Sequence, residues 1–188
     1  MIQVKDLVKD FQIPVVKTHG QFSSVNTLLE FTRPLLNLEG FVVTWPNGYK
    51  VKVKADEYLQ IHKLKETIST ERHICGLVVN GNVDDCKDKL DSEDIQNLED
   101  YEKAFHLAFS KTLHRLQELS YKALEYETRK ELALNFIPTL ENKEDARFIF
   151  SYLDGKDLKE QLLAKIKQDV TNTTRYDRLK EWMGLEYE

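Results

Sequence analysis

The sequence has little of the material on which several classes of protein depend. Only two cysteines, Cys75 and Cys86, occur in 188 residues, and they are not in a Cys-x-x-Cys spacing. A disulfide framework or a structural zinc site is therefore not expected, and both residues are interpreted as reduced, buried thiols. No apolar run approaches the length of a membrane span or of a signal peptide. We therefore expect a cytoplasmic chain with no membrane partner.

A net positive charge is also lacking, since the formal net charge is −5. A protein that binds RNA mainly by neutralising phosphates usually has the opposite sign, so any contact with RNA is expected to come from a local basic surface. Seven glycines and four prolines leave little room for low complexity, and hydrophobic residues make up 41% of the chain. This composition is typical of a folded domain.

The pattern of the chain changes near residue 55. Before it, residues 4–11 have helical spacing, residues 13–16 indicate a short buried strand, and Ser23 or Ser24 can cap a helix that ends near Pro34. The strongest strand signals follow at residues 40–45 and 49–54, joined by a turn at residues 46–48. We predict an α+β fold, in which a small antiparallel β portion (residues 1–55) precedes an all-helical domain (residues 56–188).

The helical part is predicted from apolar residues at three- and four-residue spacing. One helix begins at Asp56, and a long one opens at Asp91 and breaks somewhere before Pro138. Three further helices are expected at about residues 143–153, 158–170 and 175–183. Gly155 closes the first of these, and Asp157 and Glu160 are placed as a capping-box pair for the second.

Turn chemistry indicates which side chains of the hairpin share a face. Pro46-Asn47-Gly48 favours a three-residue loop with the glycine in the left-handed conformation. In that register one face is apolar and is the expected core side; its pairs are Trp45 with Tyr49, Val43 with Val51, and Phe41 with Val53. The opposite face has three lysines, namely Lys50, Lys52 and Lys54.

The lysine face has two interpretations that the pattern leaves open. Three ammonium groups on one strand face repel one another, and a polyanion such as a nucleotide phosphate would relieve that repulsion. Lysines also protect edge strands against aggregation, which needs no ligand. A two-residue turn would exchange the two faces, so the register is itself a hypothesis.

The strings around the hairpin resemble a known family. Glu39-Gly40-Phe41-Val42-Val43, followed by Lys52-Val53-Lys54-Ala55-Asp56-Glu57-Tyr58, resembles motifs IV and V of the covalent nucleotidyltransferases. The chain is similar to the T-even bacteriophage RNA ligase 1 family, which repairs broken tRNA. The later Tyr58…His62 pair and the stretch Val78-Val79-Asn80-Gly81…Asp84-Asp85 agree in the same order. The resemblance covers residues 1–90, and beyond them only the helical character agrees.

The resemblance implies an ATP-dependent RNA ligase that joins an RNA 5′-phosphate to a 3′-hydroxyl through an enzyme-bound AMP. It implies that Lys52 and Lys54 contact phosphates of ATP and of the adenylate, and that Glu39 helps to hold Mg²⁺. Gly40 would let the strand approach the nucleotide closely. The implied catalytic residues are thus Glu39, Lys52 and Lys54, and Gly40 joins them in nucleotide binding. In the predicted register, Glu39 does not fall on the lysine face.

The lysine that carries AMP is not expected in this chain. Its motif, Lys-x-Asp/Asn-Gly, lies far before motif IV in the family, whereas only 38 residues precede Glu39 here. Lys17-Thr18-His19-Gly20 is superficially similar, but a histidine replaces the acidic or amide residue. We expect residues 1–55 to be the C-terminal part of a nucleotidyltransferase domain and residues 56–188 a helical C-terminal domain. The chain would be inactive alone and would need an N-terminal fragment, in cis or in trans, as a split-gene product, a truncated relic or a piece of a longer enzyme.

A second hypothesis is a non-catalytic helical module that binds RNA or protein and retains the hairpin as scaffold. Its candidate surface is a set of basic residues that could contact tRNA or could be ordinary interleaved surface charge. These residues are Arg115, Lys122, Arg129, Lys130, Lys165, Lys167, Arg175, Arg178 and Lys180. Two weaker candidates for metal or cation binding are interpreted as ordinary surface residues. His106 and His114 are expected at a helix surface, and Asp84-Asp85 is expected at an acidic helix start.

Overall fold

The structure is a computed structural model, and it describes residues 17–187. The chain divides into two compact units between Leu59 and Gln60. The helical spacing expected at residues 4–11 and the strand expected at residues 13–16 lie outside the described residues. Helices predominate, and the two described strands form an antiparallel sheet, so the predicted α+β fold class is confirmed.

The first unit contains a short helix, α1 (Val25–Thr32), whose start follows the predicted capping chemistry. Ser24 has an extended backbone, and its hydroxyl accepts a hydrogen bond from the backbone N–H of Thr27 at 3.2 Å. This bond satisfies one of the free N–H groups of the first turn. The helix ends before Arg33 and Pro34, as the proline predicts.

Two strands, β1 (Gly40–Thr44) and β2 (Lys50–Lys54), form the predicted hairpin. Gly48 has φ of 83° and donates its N–H to the carbonyl of Trp45 at 2.9 Å, which closes a three-residue loop. Trp45 in turn donates its N–H to the carbonyl of Tyr49 at 2.8 Å. The register pairs Phe41 with Val53 and Val43 with Val51. The predicted turn and register are therefore confirmed.

The apolar face of the hairpin is less covered than the alternation predicts. Tyr49 is 64% exposed, and the other five apolar side chains of this face are half-buried. Phe41 contacts the ring of Phe31 on α1 at a centroid distance of 5.9 Å, and Phe31 contacts Phe22 at 5.3 Å. The rings of Phe22 and Phe31 remain exposed. Within the first unit, a helix-and-loop layer thus covers this face in part.

The second unit is helical, and α2 (Asp56–Ile68) leads into it. The helices after α2 are α3 (Glu71–Asn80), α4 (Asp84–Lys87), α5 (Ser92–Ala123), α6 (Arg129–Asn135), α7 (Asp145–Leu153), α8 (Leu158–Asp169) and α9 (Thr173–Met183). The predicted helices from Asp56 and Asp91 and the three near the C-terminus are confirmed, with ends that differ by two residues or fewer. Asp91, Asp157 and Asn172 accept capping hydrogen bonds at the starts of α5, α8 and α9.

The predicted break of the long helix lies between Ala123 and Arg129. Thr128 has an extended backbone there and accepts from the N–H of Glu131 at 3.2 Å, so it starts α6. A 3₁₀ turn, Ile137–Thr139, contains the proline that ends this region. A small core of buried Ala123, Leu132, Leu140 and Ile149 holds the end of α5 against α6 and α7.

The main core of the second unit surrounds α5. Tyr101 is fully buried, and its hydroxyl lies 2.7 Å from the hydroxyl of Tyr176 on α9. Buried apolar side chains from α3, α7, α8 and α9 pack against the same side of α5. This helical unit therefore has a closed core of its own. Among residues 17–187, none of the helices is both long enough and apolar enough to cross a lipid bilayer.

Candidate functional site

The three lysines of β2 lie on one face of the hairpin, as the register predicts. Each faces a small or β-branched residue of β1: Lys54 lies opposite Gly40, Lys52 opposite Val42, and Lys50 opposite Thr44. Lys50 and Lys52 are exposed to solvent, and the side chain of Lys54 is 34% exposed. Alternate residues of a strand are about 6.6 Å apart, so the three lysines form a row along this face.

Gly40 has a conformation that only glycine adopts readily in this place. Its φ is 140°, and a Cβ built on it would lie 2.0 Å from the carbonyl oxygen of Val53 and 2.7 Å from Cα of Lys54. Any side chain at this position would therefore separate the strands at the end that holds Lys54. The pairing of the strands therefore requires glycine at this position whether or not a nucleotide binds. The expected close approach of Gly40 to a nucleotide stays a prediction.

Glu39 lies next to Lys54, although the regular register does not place it on the lysine face. Its Oε1 is 3.8 Å from Nζ of Lys54, and its backbone carbonyl accepts from the N–H of Ala55 at 2.9 Å. The positive φ of Gly40 makes the start of β1 irregular, so strict alternation does not extend to Glu39. The structure thus brings together Glu39, Gly40 and Lys54, with Lys52 two residues before Lys54 on the same face of β2.

Tyr58 is a site residue that the sequence pattern indicated only as part of the resemblance. Its ring centroid lies 4.8 Å from Nζ of Lys54, a cation–π distance. Tyr58 is on the first turns of α2, four residues after Lys54, so the strand-to-helix junction sets this contact. Lys54 therefore has a carboxylate on one side and an aromatic ring on another, whereas Lys52 extends into solvent.

Hydrogen bonds fix the loop that leads to Glu39 against the start of α2. Asn37 has a left-handed backbone, with φ of 58°, and donates its N–H to Oε2 of Glu57 at 2.5 Å. Asp56 donates its N–H to the carbonyl of Arg33 at 3.0 Å. These contacts hold the two chain segments that supply Glu39 and Lys54. Sequence reasoning did not identify Asn37 or Glu57, since the bond joins residues 20 positions apart.

Glu39 can hold a divalent cation only with help from other groups. Among residues 17–187, no group of three or more histidine, cysteine, aspartate or glutamate side chains is arranged as a metal site. Mg²⁺ is commonly bound by one or two carboxylates together with substrate phosphates and waters. One carboxylate beside a row of lysines therefore fits a Mg²⁺ ion that arrives with a polyphosphate, and does not fit a metal bound by protein alone.

The other sequence candidates lie elsewhere in the fold. Residues 17–20 are exposed and outside any helix or strand, and the ring of His19 lies 4.9 Å from that of Phe41. His106 and His114 are exposed on α5, each 3.8 Å from a glutamate one turn away. Asp84 begins the short helix α4 and pairs with Lys87 at 3.1 Å, as an acidic helix start predicts.

Both cysteines are buried thiols, as predicted. Cys75 is 1% exposed on α3, and burial raises its pKa to about 11. Burial also raises the pKa of Cys86. A thiol with a raised pKa is a poor nucleophile and a poor metal ligand at neutral pH, because the thiolate is the reactive form.

The basic residues of the helical unit divide into two groups. Four of them form ion pairs inside the unit: Arg115 with Asp145, Arg129 with Asp154, Lys165 with Glu144 and Asp169, and Lys180 with Glu71. Arg175 and Arg178 are exposed on α9 and line a cleft of about 550 Å³, whose lining also includes Glu144, Asp169 and Glu181. Among residues 17–187, the other three basic residues of the set, Lys122, Lys130 and Lys167, are also exposed and, like Arg175 and Arg178, form no ion pair. Ion pairs within the unit therefore neutralise four of the nine predicted basic residues.

No protein-family model matches this chain, and neither does any curated protein or solved structure.

Proposed function

We propose that this chain is the C-terminal portion of an ATP-dependent RNA ligase that joins an RNA 5′-phosphate to a 3′-hydroxyl in RNA repair. The single observation that supports it most is the row of lysines on β2, with Glu39 at 3.8 Å from Lys54. The resemblance of these residues to motifs IV and V gives the arrangement its chemical meaning.

The proposed chemistry needs cations that are already in place. Each step of ligation is a displacement at phosphorus, so catalysis depends on positioning and on stabilising the charge of phosphate oxygens. Lys54 is oriented by Glu39 and by the ring of Tyr58, whereas Lys52 is exposed. We assign Lys54 to a fixed phosphate position and Lys52 to a neighbouring one. Lysine suits both roles because its ammonium is a compact charge that needs no fixed fork geometry.

ATP is the proposed nucleotide and Mg²⁺ is the proposed ion, both only in the context of the complete active site. Glu39 would help to hold the ion, whose role is to offset phosphate charge during displacement. Gly40 would keep the strand free of a side chain beside the phosphates, in addition to allowing the strands to pair.

The nucleophilic lysine is proposed to come from an N-terminal nucleotidyltransferase fragment, in cis or in trans. Lys17, in the superficially similar Lys17-Thr18-His19-Gly20 string, is exposed and outside any strand or helix. The helical unit is proposed to contact RNA, with tRNA as the substrate class that the resemblance implies. A cytoplasmic location is proposed because both thiols are free.

The alternative, a non-catalytic helical module that binds RNA or protein, is favoured by one observation. The helical unit has its own closed core, and its cleft of about 550 Å³ has Arg175 and Arg178 at the edge. In this alternative the hairpin is scaffold, and its lysines serve only to keep an edge strand soluble.

Transfer of labelled AMP distinguishes the two functions. Incubated alone with labelled ATP and Mg²⁺, the chain should acquire no covalent AMP. Mixed with an N-terminal fragment that has the Lys-x-Asp-Gly motif but ends before motif IV, it should restore label on that fragment. Label on this chain alone would show a nucleophile within it, and a mixture without label would favour the non-catalytic module.

A further inference from the structure

The Glu39–Lys54 pair joins the proposed metal ligand directly to the proposed phosphate ligand. Nζ of Lys54 lies 3.8 Å from Oε1 of Glu39, and the two side chains are 34% and 56% exposed. A carboxylate oxygen and a phosphate oxygen are both anionic acceptors for an ammonium group. Glu39 therefore occupies one of the positions around Lys54 that a phosphate would use.

We infer that Glu39 is a placeholder for phosphate on Lys54, and that a divalent cation bound by Glu39 releases this lysine for the polyphosphate. The inference rests on the proposed function and adds a mechanism to it. Its consequence is that Mg²⁺ and triphosphate bind cooperatively to the hairpin.

The weakness of the pair suits such an exchange. An exposed ion pair changes a binding equilibrium by at most about fivefold, because solvent screens the charges. Glu39 therefore weakens phosphate binding without preventing it. The ring of Tyr58, 4.8 Å from Nζ of Lys54, offers the ammonium a contact that is independent of Glu39. Lys54 can thus keep its place while its anionic partner changes.

Charge explains why the cation is needed for the exchange. When a phosphate replaces Glu39 on Lys54, the carboxylate is left beside a polyanion, and like charges at this distance repel. A Mg²⁺ ion between the carboxylate and the phosphates converts that repulsion into attraction. Since binding linkage is reciprocal, the phosphate must strengthen Mg²⁺ binding by the same factor.

The coupling should involve one lysine of the three. Within the part of the chain that the structure describes, Lys54 has an ion pair with Glu39, and no carboxylate pairs with Lys50 or Lys52. Substitution of Lys54 should therefore remove the coupling, whereas substitution of Lys50 should leave it.

The test is a titration of the full chain with inorganic tripolyphosphate, followed by the NMR shifts of the hairpin amides, with and without MgCl₂. Without Mg²⁺, Glu39→Gln should bind tripolyphosphate roughly two- to fivefold more tightly than the wild type, because the competing charge is gone. With Mg²⁺ in excess, the same variant should bind more weakly than the wild type. The order of the two affinities thus reverses with the metal.

Asp56→Asn is the matched control, since it removes the same charge two residues from Lys54 without touching the pair. It should change affinity in the same direction in both buffers. Lys54→Ala should abolish the reversal, and Lys50→Ala should retain it. Equal affinities of wild type and Glu39→Gln in the metal-free buffer, with tripolyphosphate bound in both, would overturn the placeholder role alone. Absence of any hairpin shift with tripolyphosphate would overturn the inference, whereas the proposed function, in which an N-terminal fragment completes the site, is tested separately by AMP transfer.

Discussion

Replacement of Asp145 by alanine should strongly destabilise the helical unit. Asp145 begins α7, and its side chain is 3% exposed. Its Oδ1 accepts from the indole N–H of Trp182 at 2.8 Å and from the guanidinium of Arg115 at 3.3 Å. Arg115 also donates to the carbonyl of Trp182 at 3.3 Å and lies over the indole ring. One carboxylate therefore joins α5, α7 and α9.

The expected loss of unfolding free energy follows from the two donors that lose their acceptor, the indole N–H of Trp182 and the guanidinium of Arg115. Removing one partner of a buried ion pair costs about 3–5 kcal/mol of unfolding free energy. The Arg115 side chain is 38% exposed, so water can partly solvate its charge once the carboxylate is gone, and we expect a cost of about 2–4 kcal/mol. Asp145→Asn keeps an acceptor for the indole N–H and loses only the charge, which should cost about 1–2 kcal/mol. We therefore expect the free energy of unfolding to increase in the order Asp145→Ala, Asp145→Asn, wild type.

Urea unfolding followed by far-ultraviolet circular dichroism measures these free energies, because the signal comes mainly from helices. Asp154→Ala is the matched control: Asp154 pairs with Arg129 at 2.9 Å, a shorter distance, but the side chains are 44% and 60% exposed. Its cost should be at most about 1 kcal/mol. Equal destabilisation by Asp145→Ala and Asp154→Ala would show that burial does not govern the strength of these pairs.

Three further predictions concern single residues. Gly40→Ala should remove hydrogen-exchange protection at the end of the hairpin away from the turn, because its Cβ would lie 2.0 Å from a carbonyl oxygen of the opposite strand. Gly48→Ala is the control: its Cβ would meet no atom within 4 Å, so it should have only the smaller cost of a left-handed backbone. Cys75, with a pKa of about 11, should react with iodoacetamide at pH 8 about 100-fold more slowly than an ordinary thiol, and an unchanged rate would contradict its burial. Tyr101→Phe should cost about 1 kcal/mol in unfolding free energy because it removes the 2.7 Å hydrogen bond to the buried hydroxyl of Tyr176, and a neutral result would mean that the hydrogen bond between Tyr176 and Glu71 is sufficient.

Features set by neighbouring residues could be predicted from the sequence. The Pro46-Asn47-Gly48 turn fixed the register of the hairpin, because a three-residue loop allows one pairing of the flanking strands. The caps at Ser24 and Asp157 were predicted for the same reason, since the side chain bonds to a backbone N–H three residues later. Such contacts depend on local geometry alone.

Features that depend on distant or irregular contacts could not be predicted. The position of Glu39 beside Lys54 depends on a backbone angle of Gly40 that strict alternation does not include. The long helix ends at Ala123 with no glycine or proline to signal it, because a small core against α6 and α7 decides the place. The Glu71–Lys180 pair joins residues 109 positions apart, which no periodicity reveals.

The most direct test of the ligase proposal is a lysine scan of β2 in the AMP-transfer assay with the N-terminal fragment. Lys50 is the internal control, because it is exposed on the same face but lies at the turn end and outside the motif that the resemblance identifies. We predict that Lys52→Ala and Lys54→Ala lower the rate of AMP transfer by at least about tenfold, while Lys50→Ala stays within about twofold of the wild type. Equal losses for all three variants would indicate general attraction of a polyanion, and wild-type rates for all three would show that the lysines take no part in the chemistry.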